Sequence, residues 1–360
     1  MRTPRQQTAI LIWLFATVMV VAWAPSADGD IWWHLAAGRE MVRTHGLLWT
    51  DPFSSGAAGR TWIDVHWLFQ LAAYAVFASA GLAGLVVAKA VLVATGALIL
   101  FRIVRRAPPA HRAPGLFAAL LVIALFLVRH LLLVRPVIPT LLFVAITFHQ
   151  LESFRRRGRV GALLWLPPLQ ILWANVQGLS ALGPALVAAY LGGAAAAHAL
   201  LQRRRPAWAA QEPAGMAEAG GRRIRALLAC LGACLAASLI IPFGIRGPLL
   251  AWQLFQRLVP ISSNVYSGNI AENVPPWSAG FSADDPFWHL RWFLALLAIS
   301  FVVGRRRLSV SHLLIAVGLS ALAVMANRNV LLLYWVTTPI VAMNLAPAWR
   351  GWWADRKSVV

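Results

Sequence analysis

Residues 8–24, TAILIWLFATVMVVAWA, follow Arg2 and Arg5 and carry no charge. Their length is close to the about 20 apolar residues that cross some 30 Å of hydrocarbon as a helix. Reading this run as a span decides the fold, because runs of the same kind recur at residues 82–102, 114–133, 136–151, 160–174, 179–201, 226–241, 289–304, 308–325 and 330–347. The whole composition agrees. The 360 residues are 60% hydrophobic and 12% charged with a mean hydropathy of +0.68, against about 25% charged in a soluble domain. An ordinary soluble enzyme is excluded. The expectation is an all-α integral membrane protein, one polytopic domain over 1–360 with about ten transmembrane helices. Ala22 and Ala24 before Pro25 also give the A-x-A pattern of a cleaved signal peptide. The equally apolar remainder of the chain favours an uncleaved anchor.

Thirty-two basic against 12 acidic residues give a net charge of +20. In a soluble protein that would point to nucleic acid. Here the basic clusters, Arg2/Arg5, 102–112, 155–159, 203–225, 305–307 and 350–357, all fall on alternate span ends and account for 22 of the 32. Lys and Arg at span ends mark the cytoplasmic side, so the clusters predict a multi-pass protein of the cytoplasmic (inner) membrane with its N-terminus inside, and no nucleic-acid partner. The alternation requires that residues 66–80, where His66, Trp67, Gln70 and Tyr74 interrupt the apolar pattern, form an interfacial or re-entrant helix rather than a span. Two long connections then lie outside: a first outer loop, residues 25–81 with its interfacial helices, and a second, residues 242–288. Residues 202–225 read as a flexible cytoplasmic connector. Eight of the twelve acids lie in the outer loops. Cys230 and Cys234, four apart in an apolar run, read as small core residues.

The first outer loop opens Asp28-Gly-Asp-Ile-Trp-Trp-His-Leu-Ala-Ala-Gly-Arg-Glu-Met41. The spacing predicts a helix from Ile31, with Ile31, Leu35, Gly38 and Val42 on its apolar face, His34, Arg39 and Arg43 turned away, and Asp30 as N-cap. An acidic pair at the membrane surface, beside Trp32 and Trp33, suits a general base or a cation site acting on a lipid-borne head group. The metal-ligand candidates are Asp28 and Asp30, for a divalent cation. The loop continues through Trp49-Thr-Asp-Pro-Phe-Ser54 to Arg60, Asp64 and His66. Its tryptophans serve as interface anchors, with one or two available for stacking on a sugar.

The acidic motif after the first span, the helix reading Asp30…His34…Met41, the turn Gly46-x-x-x-x-Asp-Pro-Phe, and a Trp/His-containing juxtamembrane helix before a span ending Arg102-x-x-Arg-Arg106 together resemble the GT-C glycosyltransferases. Protein O-mannosyltransferases and lipid A aminoarabinose transferases belong to that class. More narrowly, the chain resembles bacterial multispan proteins with an Asp-x-Asp-x-Trp-Trp-His-Leu start and an Asp-Pro-Phe-Ser turn. The resemblance to the transferases covers about the first hundred residues and topology thereafter. It implies transfer of a sugar from a polyprenyl-phosphate donor to an acceptor on the outer face, with Asp30, and Asp28 beside it, in the place of the base or metal-proximal acid. The chain departs from those enzymes in having Asp30-Ile31 where they show Asp-Glu, and Val65-His-Trp-Leu68 where they show Lys-Pro-Pro-Leu.

Lys89, Arg129, His130, Arg135 and Arg328 lie in or beside apolar runs, where a charge costs several kcal/mol unless paired or wet. By the topology above, all are in the outer half. Arg129, Arg135 and Arg328 are therefore candidates for holding a lipid phosphate, with snorkelling or pairing with the loop acids as the alternatives, and Lys89 for pairing with Asp64. Asn175 and Gln177 end the outgoing run before Gly178. Asn175 is a candidate for sugar hydroxyls or for capping. His34, Asp64 and His66 complete the substrate-binding candidates. Two other functions remain open: a transporter or flippase for a lipid-linked substrate, which needs a charged path to the inner leaflet, and a non-catalytic membrane scaffold whose acidic loop binds a partner.

Overall fold

Apolar runs without side-chain hydrogen-bonding capacity fold as helices because the helix satisfies every internal amide within the segment. The computed structural model describes residues 4–23, 29–56, 58–202, 220–256, 270, 272–276, 287–305 and 308–358, and every regular element among them is helical, with one isolated bridge between Thr50 and Thr61. In chain order the α-helices are α1 (Pro4–Ala22), α2 (Asp30–Thr44), α3 (Trp67–Arg105), α4 (Pro114–Leu127), α5 (Val137–Arg157), α6 (Leu166–Val176), α7 (Leu182–Gln202), α8 (Gly220–Ala237), α9 (Arg246–Gln256), α10 (His289–Val303), α11 (Val310–Met325) and α12 (Val330–Ser358).

Each of the ten apolar runs contains a helix, but the helices are unequal. Five segments, Trp67–Arg105, Pro109–Leu127, Val137–Arg157, Gly178–Leu200 and Asn327–Trp349, are long and apolar enough to cross a membrane. Gln6–Ala22, Val160–Val176, His289–Val303 and Val310–Met325 are apolar but shorter. Proline accounts for some of the shortening. α6 carries Pro in its first turn, where the missing N–H costs nothing but the helix can extend no further back. The connector expected over 202–225 is helical from Gly220 onward, as the start of α8; residues 203–219 lie outside the described residues.

α3 is two helices joined at Gly81, whose φ of 63° and ψ of −161° lie in a region open essentially to glycine alone. The break separates residues 67–80, the stretch expected to be interfacial, from the long apolar helix that follows. Beyond the break α3 runs beside α5 and α12 in a common sense. Lys89 Nζ donates to the Leu132 carbonyl at 2.8 Å. Further along, a Cβ on Gly96 would meet the Trp335 ring at 2.6 Å, and Trp335 Nε1 donates to the Leu141 carbonyl at 2.8 Å. Further still, Arg156 reaches the Ile103 carbonyl and Met343 Sδ. α12 is the central helix, with 89% of its apolar window buried.

The two ends of this bundle differ in character. One gathers the starts of α2, α3, α5, α10 and α12 with the turns between them. The other gathers the arginines that end α3 and α5.

Candidate functional site

The first of these ends is built on a close crossing of α2 over the first half of α3. A Cβ on Gly38 would lie 2.3 Å from the Gln70 carbonyl oxygen, so only glycine lets the two backbones approach this far. The buried face of α2 is Ile31, His34, Leu35, Ala37, Gly38 and Met41. Two sequence expectations change. Val42 is exposed, and His34, expected to turn away, is 3% exposed. The imidazole occupies an i+3 position of the apolar stripe and packs edge-on against Phe69 and His66, with ring centroids 5.2 and 5.8 Å apart.

Asp30 is the first residue of α2 rather than its cap. Gly29 holds the cap position without a side-chain bond. The Asp30 carboxylate instead meets Arg135 Nη2 at 2.9 Å. Arg135 stands in the turn before α5, and its Nη1 pairs with Glu272 of the second long loop. The same loop is bound to the turn before α12: the Arg328 amide donates to the Glu272 carbonyl and the Asn327 amide to the Val274 carbonyl, each at 3.1 Å. The Arg328 charge is felt by both Glu272 and Arg135. Asp30, Arg135, Glu272 and Arg328, from four separate parts of the chain, thus form one charged cluster. Asp28, Asp284 and Asp285 lie outside the described residues.

Next to it is a buried polar group. Asp64 is 3% exposed; its Oδ1 accepts from the His66 amide at 3.0 Å and from Gln70 Nε2 at 3.1 Å. Its Oδ2 is buried without a hydrogen bond among the described residues, with the Trp62 side chain near enough to ease its charge. Burial outweighs these contacts and pushes the carboxyl up to about 6. His66 Nε2 lies 2.6 Å from Gln177 Oε1, an oxygen that also accepts from the Gly178 amide. The ring nitrogen must therefore carry the proton, which leaves Nδ1 as the lone-pair side. Burial lowers His66 to about 4, so the ring is neutral near pH 7.

Three other candidates are placed elsewhere in role. Asn175 is fully engaged: its Oδ1 accepts from Trp67 Nε1 at 2.9 Å, and its Nδ2 donates to the Ile171 and Ile240 carbonyls at 2.8 Å. It ties α6 to α3 and to the chain leaving α8, a structural duty in place of hydroxyl binding. Arg129 is exposed, donates to the Phe126 carbonyl and covers the Phe126 ring at 4.3 Å, outside the charged cluster. Lys89 does not pair with Asp64, whose partners are those given above. Glu272, Gln70 and Gln177 were not singled out as site residues from the sequence. For Gln177 the signal was a second polar residue beside Asn175 at a helix end.

Among the described residues no group of three or more His, Cys, Asp or Glu converges to hold a metal ion. Of the two candidate cation ligands, Asp30 is held by a guanidinium and Asp28 lies outside the described residues. The tryptophans of the first loop form a rim. Trp33 packs against Trp62 at 6.2 Å, Phe53 against Trp62 at 6.4 Å and Trp49 against Phe243 at 5.1 Å. To one side, an apolar groove of about 300 Å³ runs between α4, α10 and α12, with His289 and Thr338 among its lining residues. His289 Nδ1 is 2.5 Å from the Tyr334 hydroxyl. His130, in the turn after α4, packs edge-on against Phe287 at 5.3 Å, which joins the groove's mouth to the turn that carries Arg135. No family model matches the chain, and no curated protein matches it.

Proposed function

We propose that this chain is a GT-C-type membrane glycosyltransferase. It transfers a sugar from a polyprenyl-phosphate donor to an acceptor at the outer face of the cytoplasmic membrane, with its N-terminus inside. The observation that carries the reading is the Asp30–Arg135 ion pair, which joins the acidic motif of the first loop to an arginine more than a hundred residues away. In this reaction the acceptor hydroxyl gives its proton to a carboxylate and its oxygen bonds to the anomeric carbon. The sugar–phosphate C–O bond breaks, leaving its electron pair on the polyprenyl phosphate. Two features support that chemistry. Arg135 and Arg328 offer planar donors to a phosphate, and a phosphate that takes over Arg135 frees Asp30, the acid proposed as base. Asp64, with His66 and His34 beside it, lines the acceptor side under the tryptophan rim, and the apolar groove beside α10 suits a prenyl tail.

The test is a transfer assay on the purified protein with a panel of polyprenyl-phosphate sugars, with and without a chelator. Wild type is expected to turn over at least one donor without added metal. Asp30→Asn and Arg135→Gln should each lower kcat by about a hundredfold or more, the order of a lost general base. Both side chains are partly exposed, at 54% and 21%, so the same variants should lose under about 1 kcal/mol of stability. No turnover by wild type on any donor would overturn the proposal.

A further inference from the structure

The opposite end of the bundle holds a second polar site that uses none of these residues. Glu152 of α5 is 1% exposed. Its carboxylate receives Arg155 Nε at 2.8 Å and Nη2 at 3.1 Å, Arg156 Nη2 at 2.5 Å, the Tyr190 hydroxyl of α7 at 2.6 Å and His312 Nε2 of α11 at 3.0 Å. An ionised carboxylate offers about four lone-pair positions, so five donors saturate it. The glutamate fixes two guanidinium groups and has no capacity left for a further donor.

Beside this group is a cavity lined by His111, Arg155, Arg156, Ser309, His312 and Asn344, with no carboxylate among its lining residues. Its walls are held from several elements. His111 Nδ1 lies 3.1 Å from the Met343 carbonyl, Arg156 Nη1 donates to the Ile103 carbonyl at 2.8 Å, and Asn344 Nδ2 to Ser300 Oγ at 3.3 Å. Arg156 Nε is itself buried without a hydrogen bond among the described residues. The space is about 40 Å³, roughly three times what one ordered water needs by this measure, and matches an anion the size of phosphate. Donor-rich walls around two fixed guanidiniums select an oxyanion, for which arginine supplies paired, planar N–H groups. A basic pocket between helices at one end of a bundle is also the form taken by phospholipid head-group sites.

We infer that this cavity binds a phosphate group, either that of an anionic phospholipid head group or free phosphate. The inference stands independently of the transferase reading. Full-length protein in a neutral, phosphate-free detergent solution is titrated with sodium phosphate against sodium chloride at matched ionic strength. It is titrated separately with phosphatidylglycerol against phosphatidylcholine. Binding is read as the shift in unfolding midpoint and as bound mass in native mass spectrometry. One or both phosphate-bearing probes should raise the midpoint, with an apparent Kd at least tenfold weaker in Arg156→Gln and in His111→Ala. A response to phosphatidylglycerol alone assigns the site to the head group, and a response to inorganic phosphate assigns it to the free ion. His111→Ala removes one rim contact and keeps the test available should Arg156→Gln fail to fold. No shift with either probe, or the same Kd in wild type and His111→Ala, would overturn the inference.

Discussion

Asp64 and His66 stand two residues apart at the start of α3 and are displaced in opposite senses by the same burial, Asp64 up to about 6 and His66 down to about 4. Each shift is a stability term that depends on pH, at about 1.36 kcal/mol per unit. The folded Asp64 binds its proton more tightly than the unfolded one. Between about pH 4 and 6 it therefore favours folding on the acid side, and that stability, about 3 kcal/mol, is lost as pH rises through the folded value. The folded His66 binds its proton less tightly than the unfolded one. Over nearly the same window it costs stability on the acid side and gives back about 3 kcal/mol as pH rises to the ordinary histidine value. These two slopes oppose each other in wild type. Removing one partner unmasks the other: in Asp64→Asn stability should rise by up to about 3 kcal/mol from pH 4 to 6.5, and in His66→Gln it should fall by a similar amount. The measurement is the free energy of unfolding by denaturant in mixed micelles at half-unit steps across this range, each variant read as its difference from wild type. Equal slopes for wild type and both variants would show that neither group is desolvated as described.

Two further outcomes follow from packing. Glu152→Gln keeps the shape of a side chain that is 2% exposed but turns an amide donor toward two guanidiniums that now lack their counter-charge, and should cost about 3–5 kcal/mol, read as a lowered unfolding midpoint in the same micelles. Gly81→Ala places a Cβ at a φ of 63° and ψ of −161° and should cost about 1–3 kcal/mol, with the loss confined to the region where α2 and residues 67–80 pack, as read by hydrogen exchange.

The membrane class and the helices of the ten apolar runs were legible because length and hydropathy are local properties of a run, whereas α9 lies in a stretch read as a loop. Span number was less so. The proline-led start of α6 shortens the helix without altering the apolar count that marks it. Cluster membership was legible where the residue type had a cost to explain: Arg135 and Arg328 stood out as charges in apolar surroundings, and both stand at the charged cluster. Residues whose role depends on a distant partner were misread. Asp30 has the residue type and spacing of an N-cap, and only the arrival of Arg135 across α5 takes its carboxylate for another use. His34 was turned outward because imidazole is polar, yet its i+3 place in the stripe from Ile31 to Met41 puts it inside, where Phe69 and His66 give it aromatic neighbours. Asn175 looked available because its partners, Trp67 and the Ile240 carbonyl, are 108 and 65 residues away.

The same contrast separates the two polar ends. At the arginine-rich end, Glu152 is saturated by its neighbours and its role in holding the bundle together is complete without a ligand. At the other end, Asp64 keeps a buried oxygen without a hydrogen bond among the described residues, and Asp30 is engaged by an arginine on the partly exposed rim of the bundle. On the proposed function the second end is the reactive one: a phosphate that captures Arg135 releases Asp30, and Asp64 stays as the buried acid behind it.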